Sequence, residues 1–214
     1  MGIFNVRTII VVIILIAGFN YYKAKQDIDV QSLSLPLDTK ILAFGDSLTA
    51  GNGVAKELSY PSILATLLRS EVYNAGISGE FSEQGVERLG GLLESYKPHI
   101  LVLCHGANDI LRKKDLVKTK ANLVKMVHMA KAKGVYVLLV GVPTYEILSF
   151  KTAAFYYEVA KEEFLELEDR ALEKILESDT LKSDQVHPNA LGYELMAKEI
   201  AGLLSEHYHP TAMH

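Results

Sequence analysis

The sequence "KILAFGDSLTAGNG" at residues 40–53 begins as an apolar run and becomes polar and glycine-rich from Gly45 onward. Two further uninterrupted apolar runs occur, "HILVLC" at 99–104 and "VYVLLV" at 135–140. Continuous apolar runs of this length are typical of strands buried on both faces of a parallel sheet. We predict strands at these three runs and at two shorter ones, 72–74 and 164–167.

Segments with helical spacing of apolar residues separate the predicted strands. They lie at residues 58–69, 83–96, 116–133, 152–163, 169–177 and 189–206. Strands that alternate with helices form a parallel sheet covered by helices on both faces. The sequence therefore predicts an α/β fold, a three-layer α/β/α sandwich with a parallel sheet of about five strands. In such folds, sites form at the carboxyl ends of the strands.

The composition indicates one globular domain. The chain has 214 residues, 49% of them hydrophobic, which is enough for one sizeable core, and we place the domain at residues 40–206. The net charge of -4, without a basic stripe, gives no reason to expect a nucleic-acid partner. The single cysteine, Cys104, excludes an internal disulfide and a cysteine-rich metal site, and we interpret it as a core residue.

The amino terminus contains a short apolar segment, "TIIVVIILIAGF" at 8–19. Its length matches the apolar region of a signal peptide, yet no small-x-small cleavage site follows. We predict an uncleaved anchor at 1–25, with residues 8–22 in the membrane, then a polar linker at 26–39. Residues 207–214 are expected to form a tail. The domain would then lie on the extracytoplasmic (periplasmic or extracellular) side of a bacterial inner membrane. Secretion after signal cleavage and burial of the segment in the domain are the alternatives.

Small and polar residues follow three of the predicted strands. Gly45, Asp46 and Ser47 follow the first, "NAGISG" at 74–79 follows the second, and "HGAND" at 105–109 follows the third. Each segment alone is equally typical of a turn or a helix cap. Because parallel strands end at one edge of the sheet, we expect the three segments to lie together.

A serine that attacks a carbonyl group needs a base, a partner for that base and donors for the oxyanion. Asp184 and His187 are three positions apart, and one helical turn would place both on the same face. The aspartate could then orient the imidazole, which would take the proton of Ser47. Candidate oxyanion donors are the Ser47 N–H, a glycine N–H of "NAGISG" and the Asn108 side chain.

Four segments resemble the four blocks of the SGNH, or GDSL, hydrolases. They are "GDSLTAG" at 45–51, "NAGISGE" at 74–80, "GAND" at 106–109 and "DQVHPN" at 184–189. The sequence is most similar to the bacterial thioesterase, lysophospholipase and arylesterase branch, over about residues 42–204. The resemblance implies a flavodoxin-like α/β/α sandwich that needs no metal and no cofactor. Ala107 departs from the second glycine that is common in the third block.

The resemblance also implies a role for each site residue. It assigns Ser47 as nucleophile, His187 as base and Asp184 as the partner of His187. The oxyanion donors would be Ser47, Gly79 and Asn108, with Gly76 as the alternative to Gly79.

The activity implied is hydrolysis of carboxylic esters or thioesters through an acyl-enzyme on Ser47, by a monomer that acts on a small acyl ester or a lipid-like substrate. The alternatives are a carbohydrate O-acetylesterase at the cell surface and a non-catalytic, membrane-tethered lipid-binding protein. We expect residues 143–156 to lie over the site and to affect substrate choice. Five of them either line an acyl pocket or pack in the core: Tyr145, Leu148, Phe150, Phe155 and Tyr156.

Two other polar features have ordinary structural interpretations. We expect His105 to pack or form a hydrogen bond at the end of its strand. The charged stretch "RKKDLVKTK" at 112–120 is interpreted as a solvated face, with attraction to anionic lipid head groups as the alternative.

Overall fold

The computed structural model describes residues 35–36 and 38–208. The predicted anchor at 1–25 and most of the predicted linker and tail lie outside the described residues and stay predictions. In the part of the chain that the structure describes, no helix is both long and apolar enough to cross a bilayer.

Seven strands occur in the described residues. They are β1 (Lys40–Gly45), β2 (Glu71–Gly76), β3 (Ile100–Cys104), β4 (Tyr136–Val140), β5 (Pro143–Glu146), β6 (Ser149–Thr152) and β7 (Glu166–Glu168). Five of them form a parallel sheet in the order β2-β1-β3-β4-β7. The predicted fold class, with its parallel sheet of about five strands, is confirmed.

The first predicted strand lies near the centre of this sheet. In β1, Ile41 pairs with Val72 of β2 on one side and with Ile100 of β3 on the other. Residues 41–44 are fully buried, as is all of β3. Burial on both faces explains why these strands are continuous apolar runs in the sequence.

Helices cover both faces of the sheet. They are α1 (Ser47–Ala50), α2 (Tyr60–Leu68), α3 (Ser82–Tyr96), α4 (Ala107–Leu111), α5 (Leu116–Lys131), α6 (Ala154–Glu162), α7 (Ala171–Glu177) and α8 (Ala190–His207). Helices α2 and α7 pack against α8, whereas α3 and α6 pack against α5. Right-handed crossovers from this strand order place the two groups on opposite faces.

The segment after β4 differs from a plain connection. Strands β5 and β6 form an antiparallel hairpin, in which Tyr145 pairs with Phe150 and their ring centroids lie 5.3 Å apart. The sequence predicted that this segment lies over the site but not that it forms two strands. Its turn contains no glycine, asparagine or proline that would indicate a hairpin. The hairpin extends from the carboxyl edge of the sheet.

Candidate active site

Ser47 lies where β1 ends and α1 begins. Asp46 caps this short helix, since its Oδ1 accepts the N–H of Leu48 at 3.1 Å. Its Oδ2 accepts the N–H of Ala107 at 3.2 Å, which joins the ends of β1 and β3. Burial raises the pKa of Asp46, and the two N–H groups partly offset this. The carboxyl group therefore fixes the turn that presents Ser47.

A glycine is required just before this turn. A Cβ added to Gly45 would lie 1.8 Å from the carbonyl oxygen of Cys104, which is backbone and cannot move aside. The close approach of β1 and β3 thus explains the glycine with which the polar stretch begins.

Three of the predicted residues form a chain of hydrogen bonds. Ser47 Oγ lies 3.0 Å from Nε2 of His187, and Nδ1 of His187 lies 2.8 Å from Oδ2 of Asp184. Burial opposes ionisation of Asp184, but hydrogen bonds from the His187 ring and from two backbone N–H groups lower its pKa to about 2. An ionised Asp184 accepts the Nδ1 proton, so Nε2 has a lone pair directed at the Ser47 hydroxyl.

The helical turn predicted for Asp184 and His187 is wrong. The two residues lie in an irregular loop, closed by a bridge between Lys182 and Pro188 and by the N–H of Ser183 donating to the His187 carbonyl at 2.9 Å. Oδ1 of Asp184 accepts the N–H of His187 at 2.8 Å. Because the Asp184 side chain binds the backbone N–H groups two and three residues further on, it forms a tight turn that brings its carboxylate next to the His187 ring without a helix.

The predicted oxyanion donors Gly79 and Asn108 line the same cleft as Ser47. Gly79 has φ of +81° in a turn closed by the Glu80 N–H donating to the Ile77 carbonyl, and it lines the cleft at Ser47. Asn108 also lines this cleft and donates one of its amide hydrogens to the Glu80 carbonyl at 3.1 Å, which leaves the second N–H. Ser47 is the first residue of α1, so its N–H has no acceptor within that helix.

The backbone N–H of Gly76, the alternative to Gly79, already has an acceptor. Its N–H donates to the side chain of Asn74 at 3.0 Å, at the end of β2. The structure therefore brings Gly79 and not Gly76 to the cleft.

The loop that contains Gly79 is held by the third block. Oδ2 of Asp109 accepts the N–H of Ser82 at 2.9 Å, and its Oδ1 accepts the Ser82 hydroxyl at 2.8 Å. Ser82 is the first residue of α3. The sequence left open that this segment caps the next helix along the chain, whereas Asp109 binds the start of an earlier helix, α3.

The sequence analysis missed a partly buried charged network behind this loop, of which it expected only that His105 packs or forms a hydrogen bond. Arg88 makes a bidentate pair with Glu80, both contacts at 2.6 Å, and also donates to the carbonyl oxygens of Gly45 and Ala75. His105 accepts the Gly106 N–H at Nδ1 and therefore donates from Nε2 to Glu80 at 3.1 Å. Burial opposes ionisation of Glu80, but hydrogen bonds from His105 and Arg88 lower its pKa. The opposite charges of Glu80 and Arg88 are the sequence feature that could have indicated this pair.

A cleft of about 450 Å³ opens at Ser47 and His187. Most of its lining is apolar and comes from both strands of the hairpin and the residue before it, from α4 and α7, and from the loop at 186. It includes Ile110, Leu111, Val142, Leu172, Leu176 and Val186. Of the five side chains left open in the sequence, Tyr145 and Phe150 line the cleft, whereas Phe155 and Tyr156 are buried. Leu148 is exposed at the hairpin tip.

The remaining candidates are structural. Cys104 is fully buried, and burial raises the pKa of its thiol well above the ordinary value. Among residues 38–208, no group of three metal-ligating side chains is present.

Residues 43–195 match the model of the GDSL-like Lipase/Acylhydrolase family. An arylesterase of Vibrio mimicus is 28% identical over 178 residues, which cover 78% of this chain and 89% of the arylesterase. The thioesterase 1/protease 1/lysophospholipase L1 of Escherichia coli K12 is 31% identical over 156 residues, which cover 70% of this chain and 75% of the thioesterase. The structure of the psychrotrophic esterase EstA from Pseudoalteromonas sp. is similar with a TM-score of 0.69 at 26% identity, over 79% of this chain and 98% of the esterase.

An α/β/α sandwich with a serine at a strand end, hydrogen-bonded to a histidine that is bonded in turn to an aspartate, is typical of a serine hydrolase. This chain belongs to the GDSL-like lipase/acylhydrolase family. It is a serine ester hydrolase of the SGNH type, as the four sequence blocks predicted.

Proposed function

We propose that Ser47 is the nucleophile, His187 the general base and Asp184 the residue that orients His187. The observation that carries this proposal is the chain of two hydrogen bonds, 2.8 Å from Asp184 to His187 and 3.0 Å from His187 to Ser47. The ionised Asp184 stabilises the imidazolium that forms when His187 accepts the serine proton.

The reaction proceeds through an acyl-enzyme. Ser47 Oγ attacks the acyl carbonyl while Nε2 of His187 takes its proton. The oxyanion accepts hydrogen bonds from the N–H groups of Ser47 and Gly79 and from the Asn108 amide, each worth about 3–4 kcal/mol in the transition state. His187 then protonates the departing oxygen or sulfur, and a water molecule hydrolyses the acyl-serine by the same steps.

The substrates that fit best are esters or thioesters with an apolar acyl chain of medium length. The support is the cleft, whose lining beside Ser47 is mainly aliphatic and aromatic. The arylesterase and the thioesterase/lysophospholipase among the relatives point to the same class. A carbohydrate O-acetylesterase would need polar groups for sugar hydroxyls, which this lining offers sparingly. The intact hydrogen-bonded chain disfavours a non-catalytic lipid-binding protein.

The proposal also covers the cellular location of the enzyme. Residues 8–22 would tether it, as a monomer, to the outer face of a bacterial inner membrane, because an apolar run without a cleavage site precedes the domain. Mass spectrometry of the amino terminus in the membrane fraction tests this. A mature chain that begins after residue 22 in the soluble fraction would contradict it.

The test of the catalytic roles uses the full chain in detergent with a fluorophosphonate probe. Wild type, Ser47→Ala, His187→Ala and the control Ser95→Ala, an exposed serine near the far end of α3, are compared. We expect wild type and Ser95→Ala to be labelled and to hydrolyse p-nitrophenyl acetate, butyrate and decanoate. Ser47→Ala and His187→Ala should show neither labelling nor hydrolysis. Full labelling of Ser47→Ala would refute the assignment.

A further inference from the structure

The exposed large apolar side chains are concentrated beside the cleft. Eleven are exposed among the described residues, and six of these lie in two segments that contribute to the cleft, residues 111–118 and the hairpin. They are Leu111, Leu116, Val117, Tyr145, Ile147 and Leu148. Phe164, by contrast, precedes β7 and so lies at the opposite edge of the sheet. Clustering of this kind marks an interaction surface.

The hairpin tip is the most exposed part of this cluster. Ile147 and Leu148 are 92% and 91% exposed, in the two-residue turn between β5 and β6. The same hairpin contributes Tyr145 and Phe150 to the cleft at Ser47. The tip therefore projects from the wall of the cleft and not from a remote surface.

Basic residues accompany the apolar ones in the second segment that borders the cleft. The stretch 111–118, "LRKKDLVK", begins at Leu111, which lines the cleft, and is exposed throughout. It carries four basic side chains and one acidic one, Asp115, whose carboxylate caps α5. This local positive charge is opposite in sign to the net charge of -4 of the whole chain.

We propose that residues 111–118 and the tip at 147–148, together called the rim surface, dock onto an anionic lipid bilayer and bring the mouth of the cleft to the lipid. Ile147 and Leu148 would insert among the acyl chains, and Arg112, Lys113 and Lys118 would contact the head groups. A bilayer offers both an apolar layer and a negative surface, and this combination matches the rim surface. The inference rests on the proposed function for its purpose, since docking delivers lipid-derived acyl esters to Ser47.

The test separates binding from catalysis. Residues 34–214 form one compact unit with its own core, and this unit excludes the apolar segment at 8–19, which would bind vesicles by itself. Binding is measured by flotation of the Ser47→Ala unit with phosphatidylcholine vesicles that contain 0% or about 30% phosphatidylglycerol. Failure of the proposed hydrolysis therefore leaves this measurement intact.

Two pairs of variants examine the two parts of the rim surface. Ile147→Ser with Leu148→Ser removes the apolar side chains of the tip. Phe164→Ser is the control, since Phe164 is 94% exposed at the opposite edge. Lys113→Glu with Lys118→Glu reverses two charges, and Lys97→Glu with Lys125→Glu is its control. Lys113 and Lys97 share left-handed backbone, and Lys118 and Lys125 both lie on α5.

We expect the unit to bind the anionic vesicles and to release them as salt is raised. The tip and charge-reversal variants should each bind roughly tenfold or more weakly, whereas both controls bind as the parent does. In the active unit, both rim variants should keep the hydrolysis of p-nitrophenyl butyrate. No binding by the parent, or equal losses in the controls, would overturn the proposal. A dimeric unit that the tip variant converts to a monomer would also overturn it, because a second copy would then cover the surface.

Discussion

Glu168 is a buried acid that the proposed chemistry does not use, and it predicts a measurable dependence of stability on pH. It ends β7 and is 2% exposed. Its Oε1 accepts the N–H groups of Arg170 and Ala171, both at 2.9 Å, but its buried Oε2 has no hydrogen-bond partner among the described residues. Burial raises the pKa of Glu168 to about 7, because the two N–H groups only partly compensate for it.

The sign follows from proton binding. Between pH 4.5 and about 7, folded Glu168 holds a proton that the unfolded chain has released, so stability falls as the pH rises through this interval. Below pH 4.5 both states are protonated, and above pH 7 the loss is complete. The interval of about 2.5 pH units, at about 1.4 kcal/mol each, gives a total loss of about 3.5 kcal/mol. About 3 kcal/mol of this falls between pH 4.5 and pH 8, because at pH 4.5 the unfolded group is still half protonated.

Glu168→Gln tests this magnitude because a glutamine keeps the acceptor at Oε1 and stays neutral at every pH. We expect the free energy of unfolding of the variant, relative to wild type, to increase by about 3 kcal/mol between pH 4.5 and pH 8. Urea unfolding of residues 34–214, followed by circular dichroism, measures it. Glu87→Gln, an exposed glutamate on α3, is the control and should show no such increase. A variant-to-wild-type difference that is equal at both pH values would refute the reasoning.

Two further predictions concern glycine packing and the oxyanion. Gly45→Ala should abolish cooperative unfolding or cost several kcal/mol, because its Cβ would overlap the Cys104 carbonyl, whereas Gly91→Ala, with nothing within 4 Å of its added Cβ, should gain about 0.5–1 kcal/mol. Urea unfolding at one pH compares them, and equal effects would contradict the close approach of β1 and β3. Asn108→Ala should lower kcat about 10²–10³-fold with little change in KM, provided that its amide binds the oxyanion. Steady-state hydrolysis of p-nitrophenyl butyrate measures this, and a change in KM alone would indicate a substrate-binding role.

The central strands could be predicted because their burial is complete. In β1, β3 and β4 an apolar residue is needed at almost every position, so the sequence carries the signal directly. At the edge of the sheet the signal weakens. The fifth strand was predicted at 164–167, but it spans Glu166–Glu168, and Phe164 lies outside it with φ of +51°. Phe164 was assigned to the strand because it is apolar, but the residue type alone does not show whether a side chain is buried or exposed.

The four sequence blocks predicted which side chains would lie together beside Ser47, but several of the contacts that hold them could not be predicted. The sequence suggested a helical turn for Asp184 and His187, whereas the aspartate closes its own loop. The pairing of Glu80 with Arg88 and His105 depends on the register that places the ends of β2, β1 and β3 side by side. No local pattern encodes that register, so tertiary contacts of this kind are not visible before the fold is known.

The same contacts explain how one site can combine fixed chemistry with adaptable substrate binding. Asp46, Glu80 and Asp109 each connect segments at different strand ends through buried hydrogen bonds, so Ser47 and the proposed oxyanion donors are held from several directions. The apolar wall formed by the hairpin is attached differently. At its base, the Thr152 N–H donates to Glu173 and the adjacent Ala153 N–H donates to the Val142 carbonyl, while its tip is exposed. Changes in the hairpin can therefore alter acyl-chain choice without moving Ser47, because none of the three carboxylates that position the site touches it.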